Sequence, residues 1–193
     1  MLEARRPYDI DSLTDVALAV FAERGYDGAS MDDVARAAGI TKASIYHHVA
    51  GKEAFLARGL GRALDALFAI LADPEACAGT SGARLRYIVR RVAETTLRMQ
   101  PELTVLFRVR GGSEVQLAAL GRRRAFDRHV SDLIVQAQAE GTIRKDLDAR
   151  AMTRLVFGLS NSVVEWYRGD GSLPSERLVA TIVAIAFDGI APH

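Results

Sequence analysis

The sequence predicts an all-α protein of about nine helices. Apolar residues recur at spacings of three and four along nearly all of the 193 residues, which is the period of an amphipathic helix. Strand-like alternation of apolar and polar residues is absent from the sequence, and strong helix formers such as Ala, Leu, Arg and Glu dominate it. A chain of this length can form one domain or two small ones.

The first two predicted helices have clear end signals. An apolar stripe that begins at Ile10 predicts the first helix, and Gly25 is expected to close it in a left-handed conformation. Ser30 is expected to cap the second helix, with Asp33 three residues later as an acidic variant of a capping box. Gly39 is expected to end that helix.

The remaining helices follow from the same stripes and from proline and glycine positions. The third predicted helix begins after Thr41 and runs to about Val49, and the fourth opens at Gly51 and ends before Pro74. A fifth helix runs through Leu85 and Met99 and is stopped by Pro101, and a short sixth one runs from Leu103 to Arg110. Two longer helices follow, over about 113–140 and about 148–168. The last helix carries a proline early and ends near Ile190.

The third predicted helix combines a short length with a polar outer surface. At 100° per residue, Ile45 and Val49 share the side that packs inward, while Ala43, Ser44 and His47 share the far side. A helix of about nine residues is marginal by itself, so its neighbours must stabilise it. This arrangement is typical of a helix-turn-helix whose second helix enters a DNA major groove. A two-helix corner with solvated side chains remains the alternative from the turn pattern alone.

The stretch "GYDGASMDDVARAAGITKASIYHHVAGKEAFL" resembles the signature of the TetR family of transcriptional regulators. The quoted stretch is residues 25–56, 32 of the 193 residues. It implies a helix-turn-helix domain over residues 1–52, with the motif itself at about 30–49, and an effector-binding and dimerisation domain over residues 53–193. It further implies a homodimer that binds a palindromic operator in double-stranded DNA and is released by a small molecule, most often as a repressor.

The resemblance also implies roles for single residues. The start of the recognition helix would read bases, and neighbouring positions would contact phosphates. The residues expected to contact DNA are Ser30, Thr41, Lys42, Ala43, Ser44, Tyr46, His47 and Lys52. A ring packed in the helical corner is the alternative for Tyr46, and His48 is expected to be structural. Arg5 and Arg6 in the N-terminal arm either contact the DNA backbone or remain unengaged.

The charge of the N-terminal third is unusual for a DNA-binding region. Residues 1–60 contain seven Lys and Arg residues against nine Asp and Glu residues, a net charge of −2, whereas DNA-binding domains are usually basic. We expect most of these acids to face away from the duplex, with few phosphate contacts and a modest salt dependence. The same feature favours the alternative function, a small-molecule-binding protein of the TetR fold that does not bind an operator.

The last two helices are expected to form the dimer interface as a four-helix bundle. Their apolar residues are too many to leave exposed on a monomer, and they are Leu155, Val156, Leu159, Val163, Val164, Leu178, Val179, Ile182, Val183, Ile185 and Ala186.

The effector is expected to be anionic and partly apolar. Residues 81–124 hold ten arginines against three glutamates, a net charge of +7, and arginine suits carboxylate or phosphate. The ending "LSNSVVEWYRGDGSLPSERLVATIVAIAFDGI" also resembles that of family members that respond to acyl-CoA thioesters, chiefly at Asn161, Trp166, Tyr167 and the "G-x-L-P" loop. The candidate ligand residues are Arg91, Phe107, Arg110, Phe126, Asn161 and Trp166. Plain core packing is the alternative for the aromatic residues, and a solvated face is the alternative for Arg84, Arg91 and Arg98.

Other classes of function lack sequence support. Motifs for nucleophilic, metal-dependent or phosphate chemistry are absent, and the adjacent His47 and His48 would point about 100° apart on a helix, so we expect no enzyme, cofactor or metal site. Cys77 is the single cysteine and is expected to be a buried, inert thiol in a reducing compartment. Without an apolar leader or a membrane span, the protein is expected in the cytoplasm.

Overall fold

The computed structural model describes residues 9–169 and 173–188, and this part of the chain contains ten α-helices and no strand. The all-α prediction is confirmed. The additional helix arises because Pro74 begins a separate four-residue helix after the chain turns at Asp73. The helices are α1 (Ile10–Arg24), α2 (Met31–Ala38), α3 (Lys42–Tyr46), α4 (Lys52–Ala72), α5 (Pro74–Cys77), α6 (Ser81–Arg98), α7 (Gln100–Arg108), α8 (Glu114–Ala139), α9 (Ala149–Trp166) and α10 (Ser175–Asp188).

Several predicted boundaries differ from the observed ones. Helix α3 ends at Tyr46 rather than near Val49. Helix α6 ends at Arg98, before Pro101 as predicted, and Pro101 itself lies in the first turn of α7, which does not need its N–H. Pro174 immediately precedes α10 rather than lying inside it. The predicted helix end at Ile190 and the arm with Arg5 and Arg6 lie outside the described residues.

The described residues form two compact units. The first unit comprises residues 9–63 with 101–118, and the second comprises residues 64–100 with 119–169 and 173–188. Helices α4 and α8 each contribute to both units. The expected domain boundary after residue 52 stays a prediction.

Helices α1 to α3 and the first part of α4 enclose the core of the first unit. Its largest buried side chains are at most 1% exposed, and they include Leu13, Phe21, Ile45 and Phe55. Helix α4 approaches α1 closely at Gly59, where a Cβ atom would lie 2.3 Å from a methyl carbon of Leu18. The absence of a side chain at this glycine therefore permits the α1–α4 packing.

The predicted caps of the first unit are largely confirmed. Ser30 and Asp33 form a reciprocal capping box at the start of α2, and Gly39 ends α2 in the left-handed region with φ 63° and ψ 38°. Gly25 does have a positive φ of 77°, but its ψ of 148° lies outside the left-handed helical region. The positive φ at Gly25 still favours glycine.

The second unit has a core between α6, α9 and α10. Ala93 of α6, Val163 of α9 and Ile182 of α10 are each at most 5% exposed within one cluster. A second part of this core is aromatic, since the ring of Phe126 lies 5.8 Å from that of Phe68 and 5.6 Å from that of Phe157.

The start of α6 is joined to the end of α8 in the same unit. The backbone N–H and the hydroxyl of Ser81 each donate to the Glu140 carboxylate at 2.7 Å. These bonds satisfy otherwise unpaired groups at the helix start and lower the pKa of Glu140.

Two sequence expectations about burial are corrected by the structure. Seven of the eleven apolar residues assigned to the dimer interface lie in the core of their own subunit, namely Val156, Val163, Leu178, Val179, Ile182, Val183 and Ala186. The buried thiol expected at Cys77 is wrong, because Cys77 is exposed at the end of the short α5 while Ala76 takes the buried position. None of the described helices is long and apolar enough to span a bilayer.

Candidate nucleic-acid interface and ligand groove

The short helix α3 is stabilised by a cap and by two buried side chains. The Thr41 hydroxyl accepts a hydrogen bond from the Ser44 N–H at 3.1 Å. Ile45 is fully buried and Val49 is 8% exposed, as the helical spacing predicts. Five helical residues cannot form a stable helix in water, so the tertiary contacts of these two residues fix the orientation of α3.

The outer side of α3 is accessible. Thr41, Lys42, Ala43 and His47 are exposed, and Ser44 is half-buried. The ring of Tyr46 is 49% exposed, which disfavours the alternative of a ring packed fully into the corner. The structure therefore brings these predicted contacts together on one small polar surface, while their roles in binding stay predictions.

Lys42 has a partner that the sequence analysis did not anticipate. Its ammonium group lies 2.8 Å from the Asp32 carboxylate of α2, and this hydrogen bond raises the pKa of Lys42. Both groups are exposed, so the pair contributes little to stability. It does place a negative charge directly beside the proposed reading surface.

Ser30 is engaged in the capping box. Its hydroxyl donates to the Asp33 carboxylate at 2.6 Å and accepts from the Asp33 N–H at 3.2 Å. The hydrogen bond from Ser30 lowers the pKa of Asp33. The start of α2 thus already has a carboxylate where we expected a phosphate, and Arg24 and Arg36 pair with that carboxylate.

Lys52 is positioned to stabilise the fold. Its ammonium donates to the carbonyl oxygens of Tyr26 and Ala29, both at 2.9 Å, and lies 4.5 Å from the centre of the Tyr26 ring. These contacts hold the α1–α2 loop against the start of α4. The geometry favours a structural role for Lys52, and its expected phosphate contact stays a prediction.

Ion pairs within the first unit account for much of its acidic charge. Asp11 pairs with Arg58 and Arg62, and Asp15 pairs with Arg62, at distances of 2.6 to 2.8 Å. The Arg58 hydrogen bond, followed by that of Arg62, lowers the pKa of Asp11. These ion pairs therefore join α1 to α4, and the arginines largely neutralise the charges of Asp11 and Asp15.

The six candidate ligand residues do not converge on one cavity. Phe107 and Arg110 belong to the first unit and the other four to the second. Arg110 lines a cavity of about 280 Å³ in the first unit. Phe126 is a core residue in the aromatic cluster, Asn161 is half-buried on α9 and Trp166 is 53% exposed. Arg91 pairs with Glu94 at 2.7 Å.

A larger groove of about 720 Å³ lies between α6 and α10 of the second unit. Arg86, Arg90 and Arg98 line it on the α6 side, and Val179, Val183 and neighbouring small residues line it on the α10 side. None of the six candidate ligand residues is among its lining residues. The sequence signal for this face of α6 was a four-residue repeat of charged side chains, Arg86, Arg90, Glu94 and Arg98.

The two other arginines that the sequence analysis grouped with Arg98 make different contacts. Arg84 donates to the Ala76 carbonyl at 2.8 Å, and Arg91 bonds Glu94. Residues seven apart differ by only about 20° around a helix, so the three arginines share one face of α6, but their different partners mean that they do not form one site.

Comparison with known proteins gives matches along most of the chain. The model "Bacterial regulatory proteins, tetR family" matches residues 13–58, and the model "Tetracyclin repressor-like, C-terminal domain" matches residues 78–190. The chain is 29% identical over 181 residues to the HTH-type transcriptional repressor KstR2 of Mycobacterium tuberculosis, covering 92% of this chain and 90% of that protein.

Solved structures give the same result. The crystal structure of SCO3833, described as a TetR family member from Streptomyces coelicolor A3, matches with a TM-score of 0.87 and 46% identity, over 96% of this chain and 94% of that one. The structure of the ketosteroid transcriptional regulator KstR2 of Mycobacterium tuberculosis matches with a TM-score of 0.86 and 27% identity, over 95% of each chain.

Proposed function

Because the chain belongs to the TetR family of transcriptional regulators, we propose that it is a ligand-responsive repressor that binds a palindromic operator as a homodimer. A small anionic, partly apolar effector, such as an acyl-CoA thioester, releases it. Residues 1–52 read the DNA and residues 53–193 bind the effector and dimerise. The observation that carries the proposal is the exposed polar surface of α3 on a fully buried Ile45.

The N-terminal residues of α3 enter the major groove in this proposal. Lys42 donates to guanine O6 or N7, and Ala43 or the Thr41 methyl group contacts a thymine methyl. Tyr46 and His47 contact phosphates, and Ser30 and Lys52 add to the backbone contacts. The exposure of Lys42, Ala43 and Tyr46 supports these roles.

Dimerisation through α9 and α10 presents two copies of α3 to the DNA. Leu155 on α9 is 72% exposed, Trp166 is 53% exposed and Ile185 on α10 is 56% exposed. Exposed large apolar side chains on neighbouring helices favour an isologous interface. A two-fold dimer would place its recognition helices about 34–36 Å apart, one turn of DNA.

The effector acts by shifting the population between two dimer conformations. Helix α4 runs without a break from Lys52 to Ala72 and belongs to both compact units, so it is the proposed hinge. An effector that binds the second conformation more tightly moves the recognition helices out of register and releases the operator.

An electrophoretic mobility shift tests operator binding. The probe is the DNA upstream of the protein's own gene, and the variant is Lys42→Ala with Lys145→Ala as the matched control, because Lys145 is an exposed lysine far along the chain. We expect wild type and Lys145→Ala to shift the probe equally and Lys42→Ala to bind at least about fivefold more weakly. Absence of any shift by wild type at low salt would favour the binding protein without an operator.

Titration calorimetry tests the effector class. The panel contains acyl-CoA thioesters, a ketosteroid and cationic drugs, the ketosteroid being included because KstR2 is described as a ketosteroid regulator. We expect heat from the acyl-CoA thioesters. Heat from the cations alone would contradict an anionic effector.

A further inference from the structure

The groove between α6 and α10 has the size and composition of a site for a small amphiphilic molecule. Its volume of about 720 Å³ lies within the usual range of roughly 300–1,000 Å³ for ligand sites. Leu97, Val179 and Val183 give it apolar surface, and Arg86, Arg90 and Arg98 give it guanidinium groups. An apolar chain and a charged head can therefore be bound side by side.

The charges of the groove favour an anion. Arg90 and Arg98 are exposed and have no ion pair within residues 9–169 and 173–188. The Arg86 guanidinium lies 4.4 Å from the centre of the Phe187 ring, which orients it while leaving its N–H groups for another acceptor. Two carboxylates line the groove, those of Glu94 and Glu176, and Glu94 is already paired with Arg91 at 2.7 Å. Arginine forks bind carboxylate and phosphate in bidentate fashion.

The groove is connected to the end of α4 through a polar network. Arg91 bonds Glu94 on the groove wall, and its Nε lies 3.7 Å from the Asp73 carboxylate, which is the residue after α4. The Tyr87 hydroxyl donates to the same Asp73 carboxylate at 2.7 Å. This hydrogen bond and burial raise the pKa of Tyr87 to about 12.

The network has room for a second arrangement. The Arg91 Nε is buried without a hydrogen bond in the described structure, although an Asp73 oxygen lies just beyond bonding distance. An anion beside Arg90 and Arg98 repels the Glu94 carboxylate and weakens its pair with Arg91. Arg91 can then close on Asp73, which satisfies Nε and changes the contacts at the end of α4.

We propose that this groove binds a molecule with an apolar chain and a carboxylate or phosphate head, and that the Glu94–Arg91–Asp73 network passes its binding to α4. The proposal rests on the proposed function, because it locates the effector site of the repressor. It replaces the six candidate ligand residues with a set on α6 and α10.

The first test measures binding without DNA. Decanoate, decyl phosphate and decyltrimethylammonium are titrated into the full-length protein by calorimetry below their critical micelle concentrations. We expect at least one of the anions to bind at least about tenfold more tightly than the cation, and the preferred anion distinguishes a carboxylate from a phosphate head. If neither anion binds, or the cation binds equally well, the proposal is wrong.

Two variants locate the site. The double variant Arg90→Ala/Arg98→Ala removes charge, and Ala184→Trp fills the groove. We expect each to raise the Kd of the anion at least about tenfold. The controls Arg124→Ala/Arg128→Ala and Ala139→Trp make the same changes at exposed positions outside the groove lining and should bind within about twofold of wild type.

Thermal melting confirms that each variant is folded, and the exposure of all the substituted residues favours this. Wild-type binding by both groove variants would place the ligand elsewhere and overturn the proposal. Light scattering measures the assembly mass of Ala184→Trp. If this mass changes while anion binding is retained, a second copy of the chain occupies the groove, and the proposal is overturned.

Glu94→Gln tests the network. We expect the variant to bind the anion more tightly than wild type, because the Glu94 carboxylate on the groove wall no longer repels it, to bind operator DNA more weakly without the anion, and to respond little to its addition. An operator response equal to that of wild type would refute the coupling. Anion binding is measured without DNA, so it tests the groove even if the protein binds no operator. Operator binding is measured separately, so it tests the proposed function even if the protein binds no anion.

Discussion

At the residue scale, Lys42 and Asp32 place opposite charges next to each other on the surface that we propose meets DNA. The pair is 2.8 Å apart and both side chains are about half-exposed. A phosphate or base edge that takes Lys42 must compete with Asp32, and the same carboxylate repels the DNA backbone. In the proposed complex the pair would therefore lower the affinity for DNA and leave sequence discrimination to the base contacts.

Asp32→Asn should strengthen DNA binding. Removal of the negative charge frees Lys42 and lessens repulsion from phosphate, and we expect the Kd for DNA to fall about two- to fivefold at low salt. Fluorescence anisotropy measures the Kd. Asp65→Asn is the control, because Asp65 forms an exposed pair with Arg122 in the other unit. Unchanged affinity in Asp32→Asn would mean that the pair lies away from the bound DNA.

Lys52→Met separates a structural role from a phosphate contact. The substitution keeps the aliphatic stem but removes the bonds to the Tyr26 and Ala29 carbonyl oxygens. We expect a loss of about 1.5–3 kcal/mol in the free energy of unfolding, which is typical of hydrogen bonds to a charged group. Urea denaturation measures it. Unchanged stability together with weaker DNA binding would instead assign Lys52 to phosphate recognition.

At the element scale, α4 has two glycines with different surroundings. Gly59 lies against Leu18 of α1, where an added Cβ would be 2.3 Å from a methyl carbon, whereas a Cβ at Gly61 would meet nothing within 4 Å. Both lie just before the point at which the compact units divide α4. One glycine is thus required by packing, and the other only weakens the helix.

Substitution of these glycines by alanine should have opposite effects. Gly61→Ala should stabilise the protein by about 0.5–1 kcal/mol, because alanine has the higher helix propensity. Gly59→Ala should destabilise it by about 1–3 kcal/mol through overpacking against the fully buried Leu18. Thermal unfolding of the two variants measures both changes. Equal effects would contradict the close α1–α4 approach.

At the scale of the whole molecule, the exposed apolar residues of α9 and α10 support the proposed dimer. The sequence assigned eleven residues to this interface, and the fold places seven of them in the core of the subunit. The most exposed of the remainder are Leu155 and Ile185, and Trp166 lies at the end of the same helix as Leu155. The buried centre of a homodimer interface is usually more apolar than the rest of the surface and enriched in aromatic residues.

Leu155→Glu should weaken the dimer. A charge at a side chain that is 72% exposed in the subunit leaves the monomer fold intact but becomes unpaired on association. We expect the dimer dissociation constant, measured by analytical ultracentrifugation, to rise on the order of tenfold or more. Operator affinity should fall in parallel. Leu117→Glu is the matched control, because Leu117 is also a largely exposed leucine, at 59%, on α8. Equal effects of both variants would argue against the α9–α10 interface.

The surface of α3 could be predicted from the sequence because its determinants are local. The 100° rotation per residue separates Ile45 from Ala43 and His47, and the Thr41 cap acts within three residues. The partners of Lys52 lie 23 and 26 residues earlier in the chain. No spacing rule indicates such a contact, so the sequence analysis had only the phosphate role that the family resemblance implies for Lys52.

The sequence by itself determined the all-α class, the capping box of α2, the inward side of α3 and the membership of a family of DNA-binding regulators. These follow from local backbone preferences and from a motif that is continuous in the chain. Tertiary structure alone decided which apolar residues of α9 and α10 are core and which are exposed, and where α6 and α10 form a groove. Those properties depend on side chains far apart in sequence, whose contacts exist only after the helices have packed.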